Sequence, residues 1–168
     1  MSYAQHQSDA QTIVARAAVV TLSDTRTEET DKSGAAIRKL LTDAGHAVTA
    51  YHLIHDEPAE LEKLLDALTA TSGIDIILTN GGTGISRRDQ TIDVIERRIE
   101  QRLPGFGELF RMLSWEQIGS GAMLSRACGG IIRGKLLFAM PGSTKAVELA
   151  MAKLIVPELG HLLRELRK

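Results

Sequence analysis

Several ingredients are scarce in this chain of 168 residues. Cys128 is its only cysteine, which excludes an internal disulfide and a cysteine-based zinc site and favours a reducing compartment. Neither charge sign dominates, because 20 Lys and Arg face 21 Asp and Glu, and this balance argues against a general nucleic-acid binder. The sequence also lacks any run of about 18 apolar residues, so we expect no transmembrane helix and no membrane partner.

The rest of the composition is that of an ordinary globular protein. Hydrophobic residues make up 43% and charged residues 24%, which excludes a disordered chain. The first residues, MSYAQHQSDAQT, have neither the basic region nor the apolar region of a signal peptide. We therefore expect a flexible lead-in over residues 1–14, a single domain over residues 15–168, and a cytoplasmic location.

Strand and helix patterns alternate along the chain. Helical spacing of apolar residues follows each of the first three predicted strands and the last one, and the alternation predicts a mostly parallel sheet covered on both faces. The four predicted strands are Ala17–Leu22, Val48–Ile54, Ile74–Thr79 and Leu136–Met140. Pro157 is expected to kink or break the last helix. The segment Ser114–Gly134 fits a loop, a short strand pair or a partner contact.

The sharpest motif is TNGGTGISRRDQT, residues 79–91, in which a glycine cluster joins a strand to a helix. Glycines allow the backbone N–H groups to approach a phosphate, and a helix N-terminus adds positive potential. The motif also carries cations and hydroxyl groups, namely Arg87, Arg88, Thr83 and Ser86. It fits neither the dinucleotide fingerprint nor the Walker loop. The pattern predicts an anion site, and a simple glycine turn remains the alternative.

Polar residues end two further strands, and each has a structural alternative. Asp56, in IHDEP, either caps the helix that begins at Pro58 or binds a ligand. Asp89 either shares the capping of the next helix or holds Mg²⁺ or a ligand. If their strands are neighbours, both carboxylates face one crevice. Ser143, in MPGSTKAVELA, is either a helix cap or a second anion contact. The histidines are scattered and predict neither a metal site nor a nucleophile–base pair.

The ordered set of these motifs resembles one family. From Ala17 to Leu163 the chain is similar to the MoaB/Mog family of molybdenum cofactor biosynthesis proteins, which is related to the gephyrin G domain. The segments that carry the resemblance are VVTLSDTR, DKSG, IHDEP, TNGGTGISRRDQT, LPGFGELFRMLSWEQIGSGAMLSR and FAMPGSTKAVELA. The stretch GELFRMLSWEQIGSGAMLSR, residues 107–126, looks more like the MoaB branch. The resemblance implies an α/β fold with three layers, α/β/α, and a homotrimer or hexamer.

The resemblance also implies a reaction and its residues. The expected activity is adenylylation of molybdopterin by Mg-ATP with release of pyrophosphate, so that molybdopterin and ATP are substrates and Mg²⁺ is required. Asp56 and Asp89 match the two acidic positions tied to substrate binding and catalysis, and Asp89 is the candidate Mg²⁺ ligand. The phosphate and substrate contacts would come from Ser23, Asp24, Gly81, Gly82, Thr83, Gly84, Arg87, Arg88 and Ser143. A non-catalytic molybdopterin carrier and an oligomeric scaffold remain alternatives.

Overall fold

The computed structural model of the chain describes residues 12–87 and 89–168. Most of the predicted lead-in and Arg88 lie outside the described residues. The strands are β1 (Arg16–Leu22), β2 (Ala47–Ile54), β3 (Ile76–Asn80), β4 (Gln101–Arg102), β5 (Cys128–Ile132) and β6 (Lys135–Met140). The helices are α1 (Lys32–Asp43), α2 (Pro58–Ala70), α3 (Thr91–Arg98), α4 (Pro104–Ile118), α5 (Thr144–Ala150) and α6 (Val156–Leu166). A 3₁₀ helix, Gly119–Leu124, follows α4.

The strands form one sheet in the order β2-β1-β3-β6-β5-β4. The first four are parallel, whereas β5 and β4 are antiparallel to their neighbours. The predicted α/β fold with a mostly parallel sheet is therefore confirmed. The ambiguous segment Ser114–Gly134 contains β5, which returns to β6 through the two-residue turn Arg133-Gly134. Both turn residues have positive φ, 45° and 73°, as tight hairpins require.

Helices cover both faces of the sheet because consecutive side chains of a strand point to opposite sides. In β1 and β3, Val19 and Leu78 belong to the core beneath α1, α4, α5 and α6. Their neighbours Val20 and Ile77 belong to the second core, beneath α2 and α3. All four side chains are fully buried. The result is the three-layer α/β/α arrangement that the resemblance implied.

The helical segment before Pro157 departs from α-helical geometry but is not interrupted. A π-helix, Met151–Ile155, joins α5 to α6, and Pro157 lies in the first turn of α6. Proline lacks the N–H that would bond to the carbonyl four residues earlier, and the wider π turn accommodates its ring. The predicted irregularity is therefore present, but as a π-helix within a continuous helical segment.

The topology brings the carboxyl ends of β1, β2, β3 and β6 to one edge of the sheet, which is where ligands bind in open α/β sheets. Every polar motif of the sequence analysis follows one of these strands. Among residues 12–87 and 89–168, no helix is both long enough and apolar enough to cross a membrane.

Candidate functional site

Backbone hydrogen bonds tie the four strand ends into one surface. The Ser23 N–H, after β1, donates to the Ile54 carbonyl of β2 at 2.9 Å. The Gly81 N–H, after β3, donates to the Met140 carbonyl of β6 at 3.2 Å. The loops that follow these strands therefore start side by side.

The glycine loop, residues 81–84, needs glycine at its first two positions. Gly81 has φ of 100° and lies so close to the Leu22 carbonyl oxygen that a Cβ would collide with it. Gly82 has φ of 61°, and a Cβ there would come within 2.5 Å of Asp56 Oδ1 and would also strike the Thr91 hydroxyl. L-residues with side chains rarely adopt such φ values. The loop backbone can therefore lie directly against the groups around it.

Asp56 lies beside this loop but does not cap a helix. Its Oδ1 accepts a hydrogen bond from the Thr91 hydroxyl at 3.1 Å, and its N–H donates to Asp24 Oδ1 at 3.1 Å. The N-cap residue of α2 is Glu57, which makes no side-chain cap bond, so the capping interpretation of Asp56 is wrong. β2 and β3 are not neighbours either, because β1 lies between them. The Asp56 carboxylate still reaches the glycine loop, because the loop that follows β2 is bonded to the residues that follow β1 and passes across the end of that strand.

Asp89 closes the other end of the glycine loop. Its Oδ2 accepts from the Ser86 N–H at 2.9 Å, and its own N–H donates to the Ser86 carbonyl at 3.1 Å. A Cβ on Gly84 would lie 2.7 Å from Asp89 Oδ2. The N-cap of α3 is Gln90 without a side-chain cap bond, so the capping interpretation of Asp89 is also wrong. Both predicted acidic residues therefore contact the glycine loop, from opposite ends.

Arg126 clamps the same loop, a role that the sequence left open. Its Nε and one terminal nitrogen donate to the carbonyl oxygens of Thr83 and Asp89, respectively. The other terminal nitrogen pairs with Asp93 at 3.2 Å. Arg133 instead lies at the opposite edge of the sheet and pairs with Asp66 at 3.2 Å. Of these two arginines, Arg126 is the one at the site.

The remaining predicted residues take different places. The Ser23 hydroxyl accepts from the N–H groups of Thr25 and Arg26, which shapes the turn after β1. The Ser143 hydroxyl accepts from the Ala146 N–H at 3.3 Å, which confirms the helix cap. Arg87 is exposed in the turn between the glycine loop and Asp89. Thr83 is buried, and its carbonyl is one of the two to which Arg126 donates.

A second loop, Pro141–Thr144, lies against the glycine loop and is called the Gly142 loop below. A Cβ on Gly142 would lie 3.1 Å from the Gly81 Cα. Two side chains from the segment after β1 donate to the Gly142 carbonyl, each at 2.7 Å: the guanidinium of Arg26 and the hydroxyl of Ser33. The Gly142 loop is therefore fixed by residues more than 100 positions earlier in the chain.

Asp31 stands behind these contacts as a buried carboxylate. It caps α1 through the Gly34 N–H at 3.0 Å, and it accepts from the hydroxyls of Thr21 at 2.6 Å and Tyr51 at 2.8 Å. Both hydroxyls bind Oδ2, whereas Arg26 pairs at 3.3 Å with Oδ1, the oxygen that also accepts from the Gly34 N–H. Burial alone would raise the pKa of Asp31, but the hydroxyl and amide donors and the nearby guanidinium outweigh it, so this pKa lies below its ordinary value.

The same network continues to both sides of Asp31. Burial and the Asp31 carboxylate raise the pKa of Tyr51 to about 12, and Arg38 stacks 4.2 Å above the Tyr51 ring. Asn80, at the end of β3, donates to the Thr21 hydroxyl at 2.9 Å. A chain of polar contacts thus runs under the loops, from β2 through α1 and β1 to the end of β3.

Neither a ready-made metal cluster nor an activated thiol is found in the described part of the chain. No group of three or more His, Cys, Asp or Glu side chains converges among these residues. Burial raises the pKa of Cys128 to about 12, so its thiol is protonated at neutral pH.

Known proteins resemble this chain over nearly its whole length. Residues 18–161 match the family described as "Probable molybdopterin binding domain". The Molybdenum cofactor biosynthesis protein B of Bacillus cereus is 51% identical over all of this chain and 99% of its own length. The protein of the same name from Bacillus subtilis is 50% identical over the same shares of the two chains.

Solved structures give the same result. A crystal structure of Molybdenum cofactor biosynthesis protein B has a TM-score of 0.90 and 52% identity, and the match covers 92% of this chain and 97% of that one. The tungsten cofactor synthesizing protein MoaB from Pyrococcus furiosus has a TM-score of 0.82 and 36% identity, with 92% and 98% of the two chains covered. The chain therefore belongs to the MoaB/Mog family of molybdenum cofactor biosynthesis proteins.

Proposed function

We propose that this protein is a molybdopterin adenylyltransferase, which transfers AMP from Mg-ATP to the terminal phosphate of molybdopterin. The observation that supports this most is the glycine loop, which lies between the carboxylates of Asp56 and Asp89 and against the Gly142 loop. Such a surface offers backbone N–H groups that can bind phosphates, next to carboxylate oxygens that can accept hydrogen bonds from the pterin ring. It suits two substrates that meet through their phosphates.

The reaction needs positioning more than proton transfer. An oxygen of the molybdopterin phosphate bonds to the α-phosphorus of ATP, and the bond from that phosphorus to the bridging oxygen breaks, so that pyrophosphate leaves. The attacking oxygen is already anionic at neutral pH, and no general base is required. The protein must bring two anions together and stabilise the charge that is transferred, which fixed N–H groups and cations do.

The roles of the two carboxylates follow from their places. In the proposal Asp89 binds the Mg²⁺ of Mg-ATP or the pterin, because it lies at the end of the loop that receives the phosphates. Asp56 binds the pterin, whose ring N–H groups are donors that a carboxylate accepts. Thr91 holds the Asp56 carboxylate at 3.1 Å and fixes its orientation.

The phosphates are assigned to the loops. Gly82, Thr83 and Gly84 would present N–H groups to the molybdopterin phosphate, while Gly81, whose own N–H is bonded to the Met140 carbonyl, would let the loop backbone approach it. Ser143 with its loop would face the nucleotide. Arg87 and Arg88 would reduce the repulsion between the substrates. Ser23 and Asp24 would line the cleft after β1, where Asp24 is already bonded to the Asp56 N–H.

We also propose that the protein self-associates as a trimer or hexamer. Large apolar side chains are exposed along α4 and the 3₁₀ helix, a region called the α4 surface below. Its members are Leu109, Met112, Trp115, Ile118, Met123 and Leu124, each at least 46% exposed. An apolar surface of this kind usually marks an interface. It immediately precedes Arg126, so association at this surface would support the clamp on the glycine loop.

The experiment that tests the function is pyrophosphate release from Mg-ATP by purified protein, with and without molybdopterin. Release that depends on molybdopterin supports the adenylyltransferase. Molybdopterin binding without release contradicts the transferase and leaves a carrier. Release at the same rate without molybdopterin contradicts the proposal as well, because the activity would then be ATP hydrolysis.

A further inference from the structure

The Gly142 loop is anchored from a distant part of the chain, and the anchor can be traced to one buried charge. Arg26 and Ser33 both donate to the Gly142 carbonyl, and the Ser33 hydroxyl also lies 3.4 Å from the Thr144 hydroxyl. No other carbonyl of this loop receives two side-chain donors in the described part of the chain.

Arg26 is held in this position by Asp31. One terminal nitrogen of its guanidinium pairs with Asp31 Oδ1 at 3.3 Å, and the other donates to the Gly142 carbonyl. The Asp31 side chain has no exposed surface, whereas that of Arg26 is 30% exposed. Since the planar guanidinium bridges a buried carboxylate and a loop carbonyl, the position of the loop depends on the position of the ion pair.

The Gly142 loop in turn restricts the position of the glycine loop. The backbones of Gly142 and Gly81 are so close that even a methyl group on Gly142 would lie 3.1 Å from the Gly81 Cα. Both loops carry residues that the proposed function assigns to phosphates. A displacement of the Gly142 carbonyl would therefore alter the spacing between the two phosphate-binding segments.

We infer that Arg26 and Asp31 are positioning residues, which fix the Gly142 loop for the nucleotide side of the site. That the Gly142 loop binds the nucleotide rests on the proposed function. That Arg26 and Asp31 fix the position of this loop rests on the contacts described above. The alternative is an ion pair that only stabilises the fold. The two roles predict different effects of removing the pair. Loss of a purely stabilising pair lowers the free energy of global unfolding without making one loop more mobile than the rest, whereas loss of a positioning pair makes the Gly142 loop more mobile.

The test compares Arg26→Met with Arg16→Met in the ligand-free protein. Arg16 is the matched control, since it also pairs with a largely buried aspartate, Asp75, at 3.0 Å but at the opposite edge of the sheet. Amide hydrogen exchange is measured by mass spectrometry on peptides that cover residues 141–150. We expect exchange in this segment to accelerate at least about tenfold in Arg26→Met and to stay at the wild-type rate in Arg16→Met.

A second readout separates the two substrates. In Arg26→Met the Kd and KM for Mg-ATP should rise at least about tenfold, as expected for the loss of a charged hydrogen bond, while the Kd for molybdopterin stays within about twofold. Arg26→Lys keeps the charge but not the bridging fork, so an intermediate effect is expected. If Arg26→Met does not fold, Arg26→Lys and Ser33→Ala supply the same comparison.

The outcomes distinguish this inference from the proposed function. Unchanged exchange in residues 141–150 of Arg26→Met overturns the inference, whatever the activity of the protein. Faster exchange confined to this segment, together with no pyrophosphate release by the wild type, supports the positioning of the loop and refutes the transferase. Equal weakening of Mg-ATP and molybdopterin overturns the assignment of the loop to the nucleotide.

Discussion

Asp31 is a charged side chain without exposure to solvent, and four donors keep it charged. Removal of a carboxylate from such a set leaves a guanidinium and two hydroxyls without their partner in the interior. Asp56 and Asp89 differ in this respect, because each residue is only partly buried beside the glycine loop. At the scale of single residues, Asp31 contributes to stability and to the position of the Gly142 loop, whereas the proposed chemistry belongs to Asp56 and Asp89.

The first prediction concerns stability. Asp31→Ala should lower the free energy of unfolding by about 3 kcal/mol, because Arg26 and the hydroxyl donors lose a buried partner. Asp43→Ala, which removes a surface pair with Lys39, should change it by less than about 1 kcal/mol. Urea denaturation followed by circular dichroism measures both. Equal losses of unfolding free energy in Asp31→Ala and Asp43→Ala would contradict the large contribution to stability that is assigned to Asp31.

The second prediction concerns chemistry. Asp89→Asn should reduce turnover by about a hundredfold or more, since the amide no longer supplies a negative charge to Mg²⁺ or the pterin. Its free energy of unfolding should stay within about 1 kcal/mol of the wild type, because asparagine can still accept from the Ser86 N–H. Steady-state kinetics and urea denaturation give the two values. Full activity of Asp89→Asn would show that this residue has neither role.

At the scale of elements, the site is made by loops that the sheet order brings together. The strands and the glycine loop could be predicted, because continuous apolar runs and the repeated glycines are local signals. The antiparallel edge could not, since β4 has two residues and two of the five residues of β5 are glycines. The contacts of Arg26 and Ser33 with Gly142 were also out of reach, because nothing local pairs residues so far apart.

The capping interpretations of Asp56 and Asp89 show a further limit of local reasoning. Each residue stands near a helix start, where a carboxylate is favoured. In the structure Thr91 and the Ser86 N–H occupy these carboxylates instead. Sequence gives the residue types at a strand end, but tertiary contacts decide which donor each carboxylate meets.

The third prediction concerns the opposite edge of the sheet. Hydrogen bonds from Arg16, outweighing the cost of burial, and a further bond from Arg167 lower the pKa of Asp75 to about 2. A depressed folded-state pKa stabilises the protein above the unfolded pKa of about 4, and this contribution is lost as the pH falls towards 2. The wild type should lose on the order of 2 kcal/mol from this residue between about pH 5 and pH 2. Asp75→Asn should show a shallower decline in that window, measured by urea denaturation at each pH, and an unchanged slope would contradict the account.

At the scale of the whole molecule, the α4 surface lies on one face of the sheet and the glycine loop at its edge. The short 3₁₀ helix joins the two regions, and Arg126 follows it within two residues. In the proposed oligomer, burial of the α4 surface would hold this connection and, through Arg126, the Thr83 and Asp89 carbonyls. Assembly and site would then be coupled through one short segment.

The fourth prediction concerns assembly. Trp115→Glu should convert the oligomer to a monomer, because a charge at a buried apolar interface is costly without a partner. Ala67→Glu adds the same charge to α2, in the other helical layer, and should leave the mass unchanged. Light scattering coupled to size-exclusion chromatography measures both. A monomeric wild type, or an oligomeric Trp115→Glu, would contradict the assignment of this surface.

The measurement that tests the account most directly is the transfer of labelled AMP. Purified protein is incubated with molybdopterin and Mg-ATP that carries the label in its α-phosphate, and the products are separated. The account predicts that the label appears in adenylylated molybdopterin, with an equal amount of pyrophosphate, and that Asp89→Asn lowers the rate of both by about a hundredfold or more. Label in free AMP alone, or no turnover in protein that binds molybdopterin, would contradict it.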